Sequence, residues 1–224
     1  MTRLVALGDR DPQYLTHREI DAALALFPAD VEAGWVATDS TGARELDDVA
    51  AVWLLPGTPY RDEGAAFAAI EHCLATGTPF LGTCGGFQYA CLHLVRRFGA
   101  DARHAETHPD GAEPAIAPLA CSLYGERRTV TPVPGTRLAA ICGDAPFEGF
   151  HWCGYGLADR AAELLQANCV VISATAPDAG VEAIELPEQP FFLATAFQPQ
   201  VGSSTTGRLH PLIEALLDTA RVPA

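Results

Sequence analysis

The chain has 224 residues, 49% of them hydrophobic and 19% charged, which excludes a disordered or low-complexity segment and suffices for one large domain. Its formal net charge of -14 repels phosphate, so nucleic acid and anionic membranes are excluded as partners. Seven cysteines stand singly, with no CxxC pair; they read as reduced thiols of a cytoplasmic protein rather than as a disulfide or zinc framework. The apolar run in residues 1–8 is too short for a signal peptide, and no stretch approaches membrane-spanning length.

Short apolar runs alternate with helical patterns through the first hundred residues. Residues 4–7 predict a buried strand. Thr16 and Glu19 have the spacing of a capping box, and the helix behind them carries Ile20, Leu24 and Phe27 on one face. Strands follow at 31–37 and 49–55, the second ending at Pro56-Gly57. A helix over 61–75 buries Phe67, Ile70 and Leu74, a strand at 79–82 runs into Cys84, and a further helix carries Leu92, Leu94 and Val95. Strands apolar on both faces, alternating with helices, predict a doubly wound α/β fold: a mostly parallel, flavodoxin-like sheet covered on both sides. Ligands in such sheets sit at the carboxyl ends of the strands, where Gly57 and Cys84 both fall.

From 99 to 150 the pattern weakens into loops and short strands inserted into or laid over the sheet. A helix at 159–167, apolar runs at 170–174 and 181–186 around a Pro-Asp-Ala-Gly turn at 177–180, a strand at 191–197 and a helix at 211–220 complete the chain. Without a linker or internal repeat, 1–224 is expected to be a single domain.

Gly82-Thr83-Cys84-Gly85-Gly86 places a cysteine between glycines where a strand turns into a helix. Small neighbours permit a sharp turn that exposes the side chain in a pocket. The helix N-terminus favours thiolate. The Gly85 amide can donate to a developing oxyanion, with a second donor from the Gly57-Thr58 loop. The opposing reading is a buried packing cysteine, the common fate of a lone thiol.

Pro56-Gly57, G-T-C-G-G-F-Q at 82–88, the segment around Glu106, 151–155 and F-Q-P-Q at 197–200 occur in the order seen in class I glutamine amidotransferases. With V-E-A-I-E-L-P at 181–187 and P-F-F at 190–192, the chain resembles the C-terminal glutaminase domain of CTP synthase from about Leu4 to Leu217. The resemblance implies Cys84 as nucleophile, Gly57, Thr58 and Gly85 around the oxyanion, and Gln88, Glu106 and Tyr155 as ligand-binding positions. It also shows departures. Gln198 and Gln200 stand where that family has its histidine base and orienting glutamate, and glutamine does not titrate near neutral pH. Gly154 stands where the family has an arginine. The synthetase domain and any Walker-type loop are missing, so CTP synthesis by this chain is not expected.

His151 is the best substitute base. His104 and His108 flank Glu106, whereas His17, His72 and His93 read as packing or surface residues and His210 as a cap. The expected activity is a cysteine-dependent hydrolase or transferase acting on a small amide or amino-acid-like ligand, without cofactor or metal. The alternatives are a non-catalytic ligand-binding or regulatory relative, and a thiol redox protein in which Cys153 resolves Cys84. A His151/Cys153/Cys84 metal site has irregular spacing and is disfavoured. An ammonia-accepting partner protein and a homodimer stay open.

Overall fold

The computed structural model describes residues 1–40, 42, 45–177 and 179–222. Five strands form the parallel half of a nine-stranded sheet, in the order β2 (Val31–Val36), β1 (Thr2–Leu7), β3 (Ala51–Leu54), β4 (Phe80–Thr83) and β12 (Phe192–Thr195). The sheet continues antiparallel through β11 (Gly180–Glu185), β10 (Val171–Ala176), β7 (Glu126–Pro132) and β8 (Phe147–His151). A small second sheet joins β5 (Arg103–His104), β6 (Pro114–Pro118) and β9 (Tyr155–Leu157).

The strand period of two divides the core. Val5, Leu7, Val52 and Leu54 pack on the face covered by α2 (Glu63–Thr76), α3 (Gly85–Arg97) and α5 (Asp159–Ala167). Leu4, Ala6, Ala51 and Trp53 face the opposite layer of α1 (Leu15–Ala25), α4 (Arg137–Cys142) and α7 (Pro211–Ala220). This is the doubly wound α/β architecture that the apolar runs imply. Among the described residues no helix is long and apolar enough to cross a membrane.

Local signals explain several ends. Asp62 caps α2 by accepting from the Ala65 amide at 3.1 Å, and Gly77 ends the helix at φ 74. Pro211 opens α7, and the His210 ring caps it by accepting from the Leu212 amide. The capping box expected at Thr16 and Glu19 does not form. The helix starts two residues earlier, behind Tyr14, and the Glu19 carboxylate instead accepts from the Gly202 and Ser204 amides, both at 3.0 Å, fixing α6 (Ser203–Thr206).

The segment 99–150 supplies β5, β6, β7, α4 and most of β8. Its strands are short or covered on one face, so no apolar run marks them. Strands β10 and β11 form the expected hairpin, although Asp178 of its turn lies outside the described residues. The β7–β8 ribbon bends back toward the carboxyl ends of the parallel strands. There the Gln198 amide donates to the Phe150 carbonyl at 2.8 Å.

Candidate active site

Cys84 links β4 to α3 with φ 53 and ψ -105, a backbone conformation that costs a non-glycine residue about 1–3 kcal/mol. Its amide donates to the Thr195 carbonyl of β12 at 2.8 Å, which anchors the turn to the sheet. The glycines behind it have no room for a side chain. A Cβ on Gly85 would stand 2.0 Å from the Gly57 carbonyl oxygen, and one on Gly86 would stand 2.2 Å from that of Leu54. Helix α3 is thereby pressed onto the loop after β3. No side chain caps its N-terminus.

Cys84 lines a cleft of about 350 Å³ together with Gly57, Thr58, Glu106, Cys153 and Gln198. The expectation of an exposed thiol needs correction, since Cys84 is only 6% accessible. It meets the cleft while Trp152 and Cys153 close over it, the Sγ lying 3.9 Å from the Trp152 carbonyl.

Cys84 and Cys153 line the cleft together and perturb one another. The neighbouring Cys153 thiol, then burial, pushes the Cys84 thiol up. The neighbouring Cys84 thiol pulls Cys153 down against the opposing effect of burial, with help from the charge of His151. Behind Cys153, the His151 Nε2 lies 2.8 and 2.9 Å from the two Glu182 carboxylate oxygens, and its Nδ1 lies 3.2 Å from the Gly149 carbonyl. Burial works against a charge on His151, but the hydrogen bond and charge of Glu182 outweigh it and hold the imidazole above its ordinary value. Both side chains are fully buried.

His151 does not line the cleft, and both its nitrogens are engaged. Gln198 reaches the cleft, and its Oε1 accepts from the Gln200 Nε2 at 2.8 Å. The glutamines keep the orienting contact of a histidine–glutamate pair without its titrating group. The Gln200 Oε1 is buried and unpartnered among the described residues.

Of the ligand positions, only Glu106 lines the cleft. Gln88 and Tyr155 do not line it. Gln88 is buried with its amide fully employed, Oε1 accepting from Thr58 Oγ1 at 3.3 Å and pairing with His104 Nε2 at 3.1 Å, Nε2 donating to the Tyr155 carbonyl at 2.9 Å. It braces the loop carrying Thr58 against β9. Burial pulls His104 down to about 4, so it is neutral and serves as a structural partner, not as a tuner of Glu106. Glu106 is pushed up by burial.

Sequence reasoning missed Glu182, which looks like the outward half of an alternating strand. It also missed the β1–α1 loop and the first turn of α1, from which Asp11, Tyr14 and His17 line the cleft. Among the described residues, no group of three His, Cys, Asp or Glu side chains is arranged to hold a metal ion.

CTP synthases from Staphylococcus aureus strains are 29% identical over 215 residues, covering 87% of this chain and 39% of theirs. The chain thus spans about two fifths of the length of these relatives. The glutaminase domain of Trypanosoma brucei CTPS, solved with bound acivicin, superposes with a TM-score of 0.84 at 19% identity, covering 98% of this chain and 94% of that one. A glutamine amidotransferase from Thermotoga maritima gives 0.60 at 18%, covering 97% and 83%. At those identities the structural likeness speaks for the fold. The model of the Peptidase C26 family matches residues 56–200, well over half of the chain, and the chain belongs to that family of class I glutamine amidotransferase-like proteins.

Proposed function

We propose that the protein is a cysteine-dependent hydrolase or transferase of small amides, with Cys84 as nucleophile and Cys153, not Gln198, as its proton acceptor. The observation that carries this is the strained Cys84 elbow, which lines one cleft with Cys153, backed by the buried His151–Glu182 pair. The Cys84 sulfur attacks the amide carbon as its proton passes to the Cys153 thiolate. The carbonyl electron pair moves onto oxygen, facing the Gly85 amide and the Thr58 loop. Cys153 then returns the proton to the departing nitrogen, the C–N bond breaks, and the acyl group remains on Cys84. A water or an amine releases it, giving its own proton to Cys153. His151, paired with Glu182, stands two residues before Cys153 at the end of β8 and acts as a positioning residue.

The test is alkylation by chloroacetamide with peptide mapping, followed by ammonia release from a panel of primary carboxamides. Adduct at Cys84, faster than with a free thiol and abolished by Cys84→Ser, is expected together with turnover. An unreactive Cys84 overturns the proposal. Adduct without turnover of any amide leaves a ligand-binding relative. The placement of both free thiols on one cleft also supports a redox reading: a peroxide oxidises Cys84 to the sulfenate, and Cys153 displaces its oxygen as water to form a disulfide. That reading requires a disulfide between these two residues under mild peroxide.

A further inference from the structure

The walls of the cleft differ from what a free amino acid requires. Free glutamine brings an ammonium and a carboxylate, and the carboxylate needs a cation. The chain contains no lysine, and none of the residues lining the cleft is an arginine. The arginines of the neighbouring loops have other contacts. Arg10 is paired with Asp21 at 2.7 Å, Arg18 donates to the carbonyls of Pro12 and Gln13, and Arg61 lies 3.7 Å from Asp39. His17 accepts the Asp11 amide, and burial pulls it below its ordinary value, so it is neutral.

The groups that do line the cleft suit a cation. Tyr14, Trp152 and Tyr124 are 46%, 37% and 52% exposed there, large aromatic surfaces left open to solvent. Tyr124 and Trp152 meet edge to face at 6.1 Å, and Tyr124 lies over Gly154, where a Cβ would come 3.5 Å from its hydroxyl. Glu106 is half-buried, and its carboxylate accepts no hydrogen bond among the described residues. Asp11 adds a second carboxylate, one oxygen of which accepts from the Gln13 amide. Aromatic faces and an uncompensated carboxylate attract ammonium groups, and the net charge of -14 adds to the field.

Resting on the proposed amide chemistry at Cys84, we infer that this site selects amides whose far end carries an ammonium group and no free carboxylate, with the ammonium seated between Glu106 and the Tyr124–Trp152 pair. An amine-bearing carboxamide, or a glutamine whose own carboxyl group is tied up in a further amide bond, has this form. Free glutamine does not.

Three probes of equal reach separate charge from reactivity: the N-chloroacetyl derivatives of butylamine, of propanediamine (one nitrogen acylated) and of β-alanine. In each, the Cys84 sulfur displaces chloride from the same carbon. Inactivation rates, each divided by the rate with a free thiol at the same pH, are expected to fall from cationic to neutral to anionic by about tenfold per step, the scale of a desolvated cation–π contact. Salt compresses the series. Glu106→Gln narrows the cationic-to-neutral ratio, and Gly154→Arg raises the anionic rate. An anionic probe as fast as the cationic one overturns the inference while leaving the nucleophile intact. Failure of the neutral probe to label Cys84 removes the proposed function, and this inference with it.

Discussion

Glu182→Gln tests the buried pair behind the thiols. The two carboxylate oxygens share one imidazole N–H at 2.8 and 2.9 Å, so they count as one charge-assisted bond, not two. Replacing it with a neutral bond loses about 1–2 kcal/mol, and a glutamine NH2 with no acceptor in this buried place adds about 1–3 kcal/mol. For a protein of this size the melting temperature falls by about 5–15 °C. The two parts differ in pH dependence. The folded His151 titrates above its ordinary value, so the stabilisation from its charge is complete below the unfolded pKa and is lost as pH rises through the folded one. Urea unfolding of wild type and variant at about pH 5.5 and about pH 9 should therefore show a gap that shrinks by about 1–2 kcal/mol at the higher pH. A gap that is constant, or that widens with pH, would refute a charged His151.

Cys153→Ser keeps the size but removes the thiolate, and should slow reaction of Cys84 with neutral chloroacetamide at pH 7 by about 10²-fold, the lower end for a lost general base; unchanged kinetics would eliminate Cys153 as proton acceptor. Gly85→Ala drives a methyl to 2.0 Å from the Gly57 carbonyl, so thermal denaturation should show a loss of about 1–3 kcal/mol and labelling of Cys84 should collapse. Gln200→Glu alone buries a carboxylate beside an amide, whereas adding Gln198→His gives it a partner across the present 2.8 Å contact; a double-mutant cycle in urea should favour the double variant by about 0.5–3 kcal/mol, and strict additivity would count against that geometry. Glu19 is held below its ordinary value: burial opposes this, but hydrogen bonds from Ser204 and Gly202 prevail. Its contribution is present above the unfolded carboxylate pKa and is lost as pH falls through the folded one, so Glu19→Gln should cost about 1–2 kcal/mol at neutral pH and progressively less toward pH 3.

The parallel half of the sheet was legible because strands buried on both faces must be apolar throughout, and 49–55 and 191–197 are. Cys84 was legible for a related reason, since only a tight turn explains glycine on both sides of Thr83-Cys84. What escaped was set by contacts distant in the chain. Glu182 lies between Val181 and Ala183 and has the look of a solvent-facing strand residue; only the returning β8, which brings His151 from 31 positions away, makes it a buried partner. Thr16 and Glu19 marked a helix in the right place but not its cap, because the helix begins before Thr16 and the Glu19 carboxylate is taken by the Gly202 and Ser204 amides. Gln88 kept its place in the pattern, yet the neutral His104 turned its amide inward.

The bent β7–β8 ribbon divides labour within the site. Cys84, Gly85 and Gly57 belong to the ends of the parallel strands and their connections, whereas His151, Trp152 and Cys153 arrive on the β7–β8 ribbon and the turn after it. That ribbon forms one edge of the nine-stranded sheet. Its seating on β11 and on the loop after β12 then sets the fraction of molecules in which the two thiols face each other. Reactivity would be governed by a local docking equilibrium that global melting does not report, and hydrogen exchange at the Gln198 amide, bonded across that seam to Phe150, is where it could be read.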